Sequence, residues 1–134
     1  MRVLKDETYE LSVSDDIVRV RQRARAWAVE IGFSLVDQTK IVTAASELAR
    51  NTVEHGGGGT ARFRHVVDGH RSGLRLDFVD SGPGIPDVEL ALRDGYSTGT
   101  GLGLGLSGSR RLMSEFEIES SVGTGTRVSV TRWR

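Results

Sequence analysis

The stretch SLVDQTKIVTAASELARNTVEHGGGG, residues 34–59, decides how this chain is read. Ser34 is a residue type that caps helices. Behind it Leu35, Val42, Ala45, Leu48 and Val53 recur at helical intervals as an inward stripe, which predicts an amphipathic helix reaching about His55. Gly56 to Gly59 end it. Within the helix Glu47, Asn51 and His55 are spaced by four, and at 3.6 residues per turn they share one face. A carboxylate can take up a proton, and an amide oxygen can ligate a hard cation such as Mg²⁺, which keeps several of its waters. By itself the triplet says little. Glutamates are common on helices, and a histidine in the last turn also suits the negative end of the helix dipole.

Upstream, Thr8 to Val13 predict a first strand. Ser14 then offers an N-cap to a helix carrying Ile17, Val20, Ala24, Trp27 and Ile31, closed by Gly32. Its outer positions include Arg19, Arg21, Arg23 and Arg25, which read either as a solvated basic face or as a docking surface for an acidic partner. Downstream, Ala61–Val67 and Leu74–Val79 predict a hairpin through Asp68-Gly69. A short helix follows at about Ser109–Glu115, and a last hairpin pairs Glu117–Val122 with Arg127–Arg132. The order predicts an α+β fold: a two-layer α/β sandwich with a mixed, mostly antiparallel sheet and helices on one face.

The chain has 134 residues, the size of one domain, and residues 1–134 are expected to form one. Eighteen basic and eighteen acidic residues cancel, so no global field draws the protein to nucleic acid or a membrane surface. No signal peptide is visible, and no apolar run approaches the roughly 20 residues that span a bilayer. The lack of cysteine excludes disulfides and thiolate metal sites and suits a reducing cytosol; a cytoplasmic location is expected.

The 17 glycines are an excess over the roughly nine that average usage of about 7% would give, and they cluster. Asp80-Ser81-Gly82-Pro83-Gly84-Ile85-Pro86 follows an apolar strand directly. A carboxylate at a strand end, beside two glycines that admit close backbone approach, can hold a flat ring by accepting from its exocyclic amine. Further on, Gly95, Gly99, Gly101, Gly103, Gly105 and Gly108 leave many backbone N–H groups unshielded ahead of a helix, an arrangement that favours phosphate.

In this order and spacing the motifs resemble those of the Bergerat-fold ATPases, the superfamily of histidine kinases, gyrase and Hsp90. Glu47-Leu48-Ala49-Arg50-Asn51 resembles the N box, Asp80-x-Gly82-x-Gly84 the G1 box, and Gly101-Leu102-Gly103-Leu104-Gly105 the G2 box. Gly123-Thr124-Gly125-Thr126 matches the late Gly-x-Gly-Thr. The likeness covers nearly the whole chain and is nearest to the anti-sigma-type serine/threonine kinases, in particular the stressosome switch kinases. It implies ATP and Mg²⁺ as cofactors, with Asn51 as the metal ligand, Asp80 and Thr126 at the adenine, and Glu47 as general base. Gly82, Gly84, Gly101, Gly103 and Gly105 would line the nucleotide, under a lid at about residues 86–108. The resemblance further implies phosphorylation of a STAS-type antagonist or scaffold protein in a partner-switching stress pathway. A regulator phosphatase or a sigma-pathway protein would then be a second partner, and a homodimer is an open expectation. The alternative is an ATP-binding regulatory module with little kinase activity; Glu47 argues against it, because nucleotide binding needs no base there.

Two other matches fail on context. Gly103-Leu104-Gly105-Leu106-Ser107-Gly108 fits the dinucleotide fingerprint but follows a glycine loop where a strand is required. Gly95-Tyr96-Ser97-Thr98-Gly99 fits a nucleophile elbow, yet the three histidines all lie upstream of it.

Overall fold

The structure, a computed structural model, describes residues 1–93 and 105–134. Its elements are β1 (Arg2–Leu11), α1 (Ser14–Ile31), α2 (Leu35–Arg50), a π-turn (Asn51–His55), β2 (Gly59–Asp68), β3 (Arg71–Asp80), α3 (Val88–Ala91), α4 (Leu106–Leu112), β4 (Glu115–Ser121) and β5 (Gly125–Trp133). The strands form one sheet in the order β1-β2-β3-β5-β4. Each neighbouring pair is antiparallel, so the sheet is more uniform than the mixed one expected.

Alternation along the strands sorts the two faces of this sheet. On β3 the residues Leu74, Leu76 and Phe78 point inward, paired across the ladders with His65, Phe63 and Ala61 on β2 and with Arg132, Val130 and Val128 on β5. The apolar members of that set are buried with Val20, Ala24, Trp27, Ile41, Ala45 and Leu48 from α1 and α2, so both helices cover one face. Trp27 and Tyr9 meet Phe63 edge-on, with centroids 5.6 and 5.1 Å away, and the Trp27 indole N–H donates to the Tyr9 hydroxyl at 3.1 Å. The other face carries Arg64, Arg75, Asp77, Arg127 and Ser129. No helix among the described residues is long and apolar enough to cross a membrane.

Several local expectations need correction. Ser14 is the first residue of α1, not its cap. The chain entering the helix is held instead by Asp16, whose Oδ2 accepts from Ser12 N at 2.8 Å and Val13 N at 3.1 Å. Those two bonds, with the Arg19 guanidinium beside them, lower the Asp16 pKa to about 2. Leu35 does not face inward but is 71% exposed. It starts the helix beyond the packed region, and Phe33 fills the core at that end. β1 begins six residues before the expected Thr8, because an edge strand with both faces largely exposed shows no apolar alternation. The helix expected at about Ser109–Glu115 lies at Leu106–Leu112, since Glu115 already belongs to β4.

The predicted continuation of α2 to His55 holds, with a change of pitch. From Asn51 the chain widens into a π-turn, in which Gly56 N bonds Asn51 O five residues back at 2.9 Å. Such turns occur mostly as single insertions in α-helices and often mark functional sites.

Candidate nucleotide site

The cleft between the end of α2 and the ends of β3 and β5 is lined by Leu48, Asn51, Thr52, His55, Phe78, Asp80, Ile85, Leu106, Thr126 and Val128. It offers about 330 Å³, counted to its open mouth. Its walls are aliphatic and aromatic, with polar groups at Asn51, His55, Asp80 and Thr126. This is the usual composition of a small-molecule site.

Asp80 ends β3, and two backbone amides hold it. Its Oδ1 accepts from Gly82 N at 2.9 Å and Thr126 N at 3.2 Å. Oδ2 has no hydrogen bond among the described residues and is free to accept one from a ligand. The carboxylate has room only because residue 56 is glycine; a methyl group built there would overlap it. Gly82 in turn packs on Gly56, where an added Cβ would stand 2.5 Å from the Gly56 carbonyl oxygen. Gly84 abuts the backbone of Ser121. At both G1-box glycines the protein's own backbone therefore occupies the space a side chain would need.

Thr126 supports Asp80 from β5. Its Oγ1 lies 2.8 Å from Ser120 Oγ, which accepts from Ile85 N at 2.8 Å and donates to the Gly125 carbonyl at 3.2 Å. The β4–β5 hairpin and the loop after β3 are thereby tied together behind the carboxylate. Nε2 of His55 stands 3.3 Å from the Gly84 carbonyl, so the tautomer protonated there donates to the same loop. The sequence suggested a helix-dipole role for His55; in the structure it joins the π-turn to the site loop.

Glu47 lies one turn before Asn51, at the rim. Arg50 Nη1 donates to its Oε1 at 2.9 Å, and its side chain keeps about a third of its surface, 33%, exposed. Gly105, the N-cap of α4 with φ +63°, faces it: an added Cβ would stand 2.8 Å from Glu47 Oε2. The root of the glycine-rich segment thus rests against this carboxylate. Gly101 and Gly103 lie outside the described residues.

Of the sequence candidates, Asn51, Asp80 and Thr126 share one cleft, with Glu47 and Gly105 in contact range of each other beside it. Gly56 and Ser120 were missed. In the sequence Gly56 looks like a helix stop, and no local signal marks Ser120 on an edge strand.

Residues 36–133 match the family model described as histidine kinase-, DNA gyrase B-, and HSP90-like ATPase. The chain is also 47% identical to the serine/threonine-protein kinase RsbT of Bacillus subtilis, over 88% of its own length and 89% of that protein. The chain belongs to this ATPase family, among its serine/threonine kinases. The kinase is further 28% identical to an anti-sigma F factor of Thermoanaerobacter pseudethanolicus, over 92% of its length and 89% of that protein. Its fold matches the crystal structure of the RsbU and RsbW domains of a Mycobacterium tuberculosis protein with a TM-score of 0.61 at 24% identity, covering 97% of the kinase and 32% of the other chain.

Proposed function

We propose that this kinase holds the adenine of ATP against Asp80 and passes the γ-phosphoryl group to a serine or threonine of a STAS-type antagonist or scaffold protein. It does so in a cytoplasmic partner-switching circuit, where a regulator phosphatase or a sigma-pathway protein is bound in alternation. The observation that carries the reading is the convergence of Asn51, Asp80 and Thr126 on one cleft, with Glu47 one helical turn away at its rim.

Each residue has a separable task. Asp80 presents Oδ2 to the exocyclic amine while two backbone amides fix its other oxygen. Asn51 supplies the amide oxygen for Mg²⁺, which when bound neutralises charge on the phosphates. The donor set fits that ion. Asn51 brings one amide oxygen to the cleft, and Mg²⁺ needs only one or two protein oxygens when phosphates and water complete its shell. Gly101, Gly103 and Gly105 offer backbone N–H groups to the phosphates.

Phosphoryl transfer asks mainly for in-line positioning and charge neutralisation. Glu47 adds a proton acceptor. Arg50 anchors one oxygen, so the other is directed toward the side where α4 begins and can accept the attacking hydroxyl's proton. Glu47→Ala should retain ATP affinity and lose about 10²–10⁴-fold in transfer rate. Labelled ATP, a purified STAS partner and single-turnover kinetics test this, with calorimetry for affinity. Transfer at the wild-type rate would remove Glu47 from the mechanism.

A further inference from the structure

The four arginines of α1 look alike in the sequence, but the fold divides them. Arg19 is ion-paired with Asp16, and Arg23 lies over the Tyr9 ring at 5.9 Å, so this pair is used on the β1 side of the helix. Arg21 and Arg25, one turn apart, make no hydrogen bond or ion pair among the described residues. They line a groove between α1 and α2 together with Gln22, Ala26 and Val42, about 690 Å³ to its open mouth and largely apolar on its floor. Val18 and Val29, both exposed, lie at neighbouring helical positions of α1.

On α2 the groove is lined by Val42. Ser46 and Arg50 follow Val42 at intervals of four, and Arg50 grips Glu47. An apolar floor beside two unpaired guanidiniums is complementary to a helix with an apolar stripe and flanking carboxylates.

We infer that the α1–α2 groove is the docking site for an acidic amphipathic helix of the protein partner. The helix sets its apolar stripe on Ala26 and Val42 and its carboxylates on Arg21 and Arg25. The inference rests on the reading of the chain as a kinase of a protein partner, and it assigns the surface that recruits that partner.

The probe is a fluorescein-labelled helical peptide of about five turns, with leucine at every third or fourth position and glutamates beside them. The same peptide with lysine for glutamate is the control. Anisotropy should show binding of the acidic form only, weakening as salt rises. Amide shifts in the NMR spectrum of the wild-type protein should centre on Arg21, Arg25, Ala26 and Val42. The pair R21E and R25E should weaken binding by at least about tenfold, while R19Q and R23Q together leave it within about twofold. Nucleotide affinity, measured in parallel, should be the same in all of them. A wild-type protein that binds the peptide but no nucleotide would sink the proposed function and spare the groove.

Equal binding of both peptides, or shifts away from the groove, would overturn the inference. So would the pairs 19/23 and 21/25 behaving alike. Loss of a dimer in sedimentation on charge reversal, without peptide binding, would give the groove to a second copy instead. If R21E with R25E does not fold, the wild-type shift map and the pair R21Q with R25Q decide.

Discussion

Two aspartates on one strand, three residues apart, show how differently the two faces of this sheet are used. Asp77 points to the open face and is almost wholly buried by its partners: Ser129, Arg64, Arg75 and Arg127 surround it. Burial would raise its pKa, but the hydrogen bonds from Ser129 and Arg64 and the nearby guanidinium charges outweigh it, and the net shift is downward. Asp80 points to the helix side and is held by backbone N–H groups on one oxygen only. Both are strand aspartates, yet one has its oxygens committed to the protein and the other has acceptor capacity to spare. Capacity left over inside a shaped cleft is what supports the binding role proposed for Asp80.

This contrast can be broken by substitution. The largest effect belongs to Gly56→Ala, whose new methyl group takes the place of the Asp80 carboxylate. ATP binding should fall by about 100-fold or more, the upper end of the roughly 1–3 kcal/mol that one unmet buried group costs. Calorimetry giving wild-type affinity would show that Asp80 can leave its position without consequence.

Asp80→Asn keeps an oxygen for Gly82 and Thr126 but turns the free acceptor into a donor. Affinity should drop about 10- to 100-fold with little loss of stability. Asp77→Asn should do the reverse. It leaves the partly buried Arg64 and Arg75, and the more exposed Arg127, without their counter-charge, so unfolding in urea should show a loss of about 3 kcal/mol with ATP affinity retained. If either variant shows the other's signature, the contrast between the faces is wrong.

The smallest effect concerns a third carboxylate. The Asp16 pKa lies below the ordinary carboxylate value, so its ionised form favours the folded state. That contribution is complete above the unfolded pKa near 3.8 and fades as pH falls toward about 2. Asp16→Asn should therefore lower Tm by a few degrees near neutrality, and the gap should narrow across that acid window. A gap independent of pH would mean the side chain acts by shape instead of charge.

Much of this fold is written in local patterns. The spacing of Val20, Ala24, Trp27 and Ile31 marks α1, and alternation from Leu74 to Phe78 marks β3, because one buried face imposes its period on the sequence. The edge strand β1 lacks that imprint, so its first six residues carry no strand signal. Ser14 does not cap α1, because the interaction that starts the helix runs backward from Asp16. At the site, Asp80 and Asn51 were legible because each sits in a short motif whose residues act on each other. Gly56 and Ser120 act on Asp80 and Thr126 from other elements, and no local window joins Gly56 to Asp80.

The π-turn has a consequence for how this kinase can vary. Its hydrogen-bonded ring spans one residue more than an α-helix uses, so the segment from Asn51 to His55 carries a surplus residue. Losing the exposed Glu54 would let the ordinary ring close and gain regularity, while turning His55 and Gly56 by about 100° away from Gly84 and Asp80. Selection for heat resistance and selection for ligand capture would pull on that one residue in opposite directions.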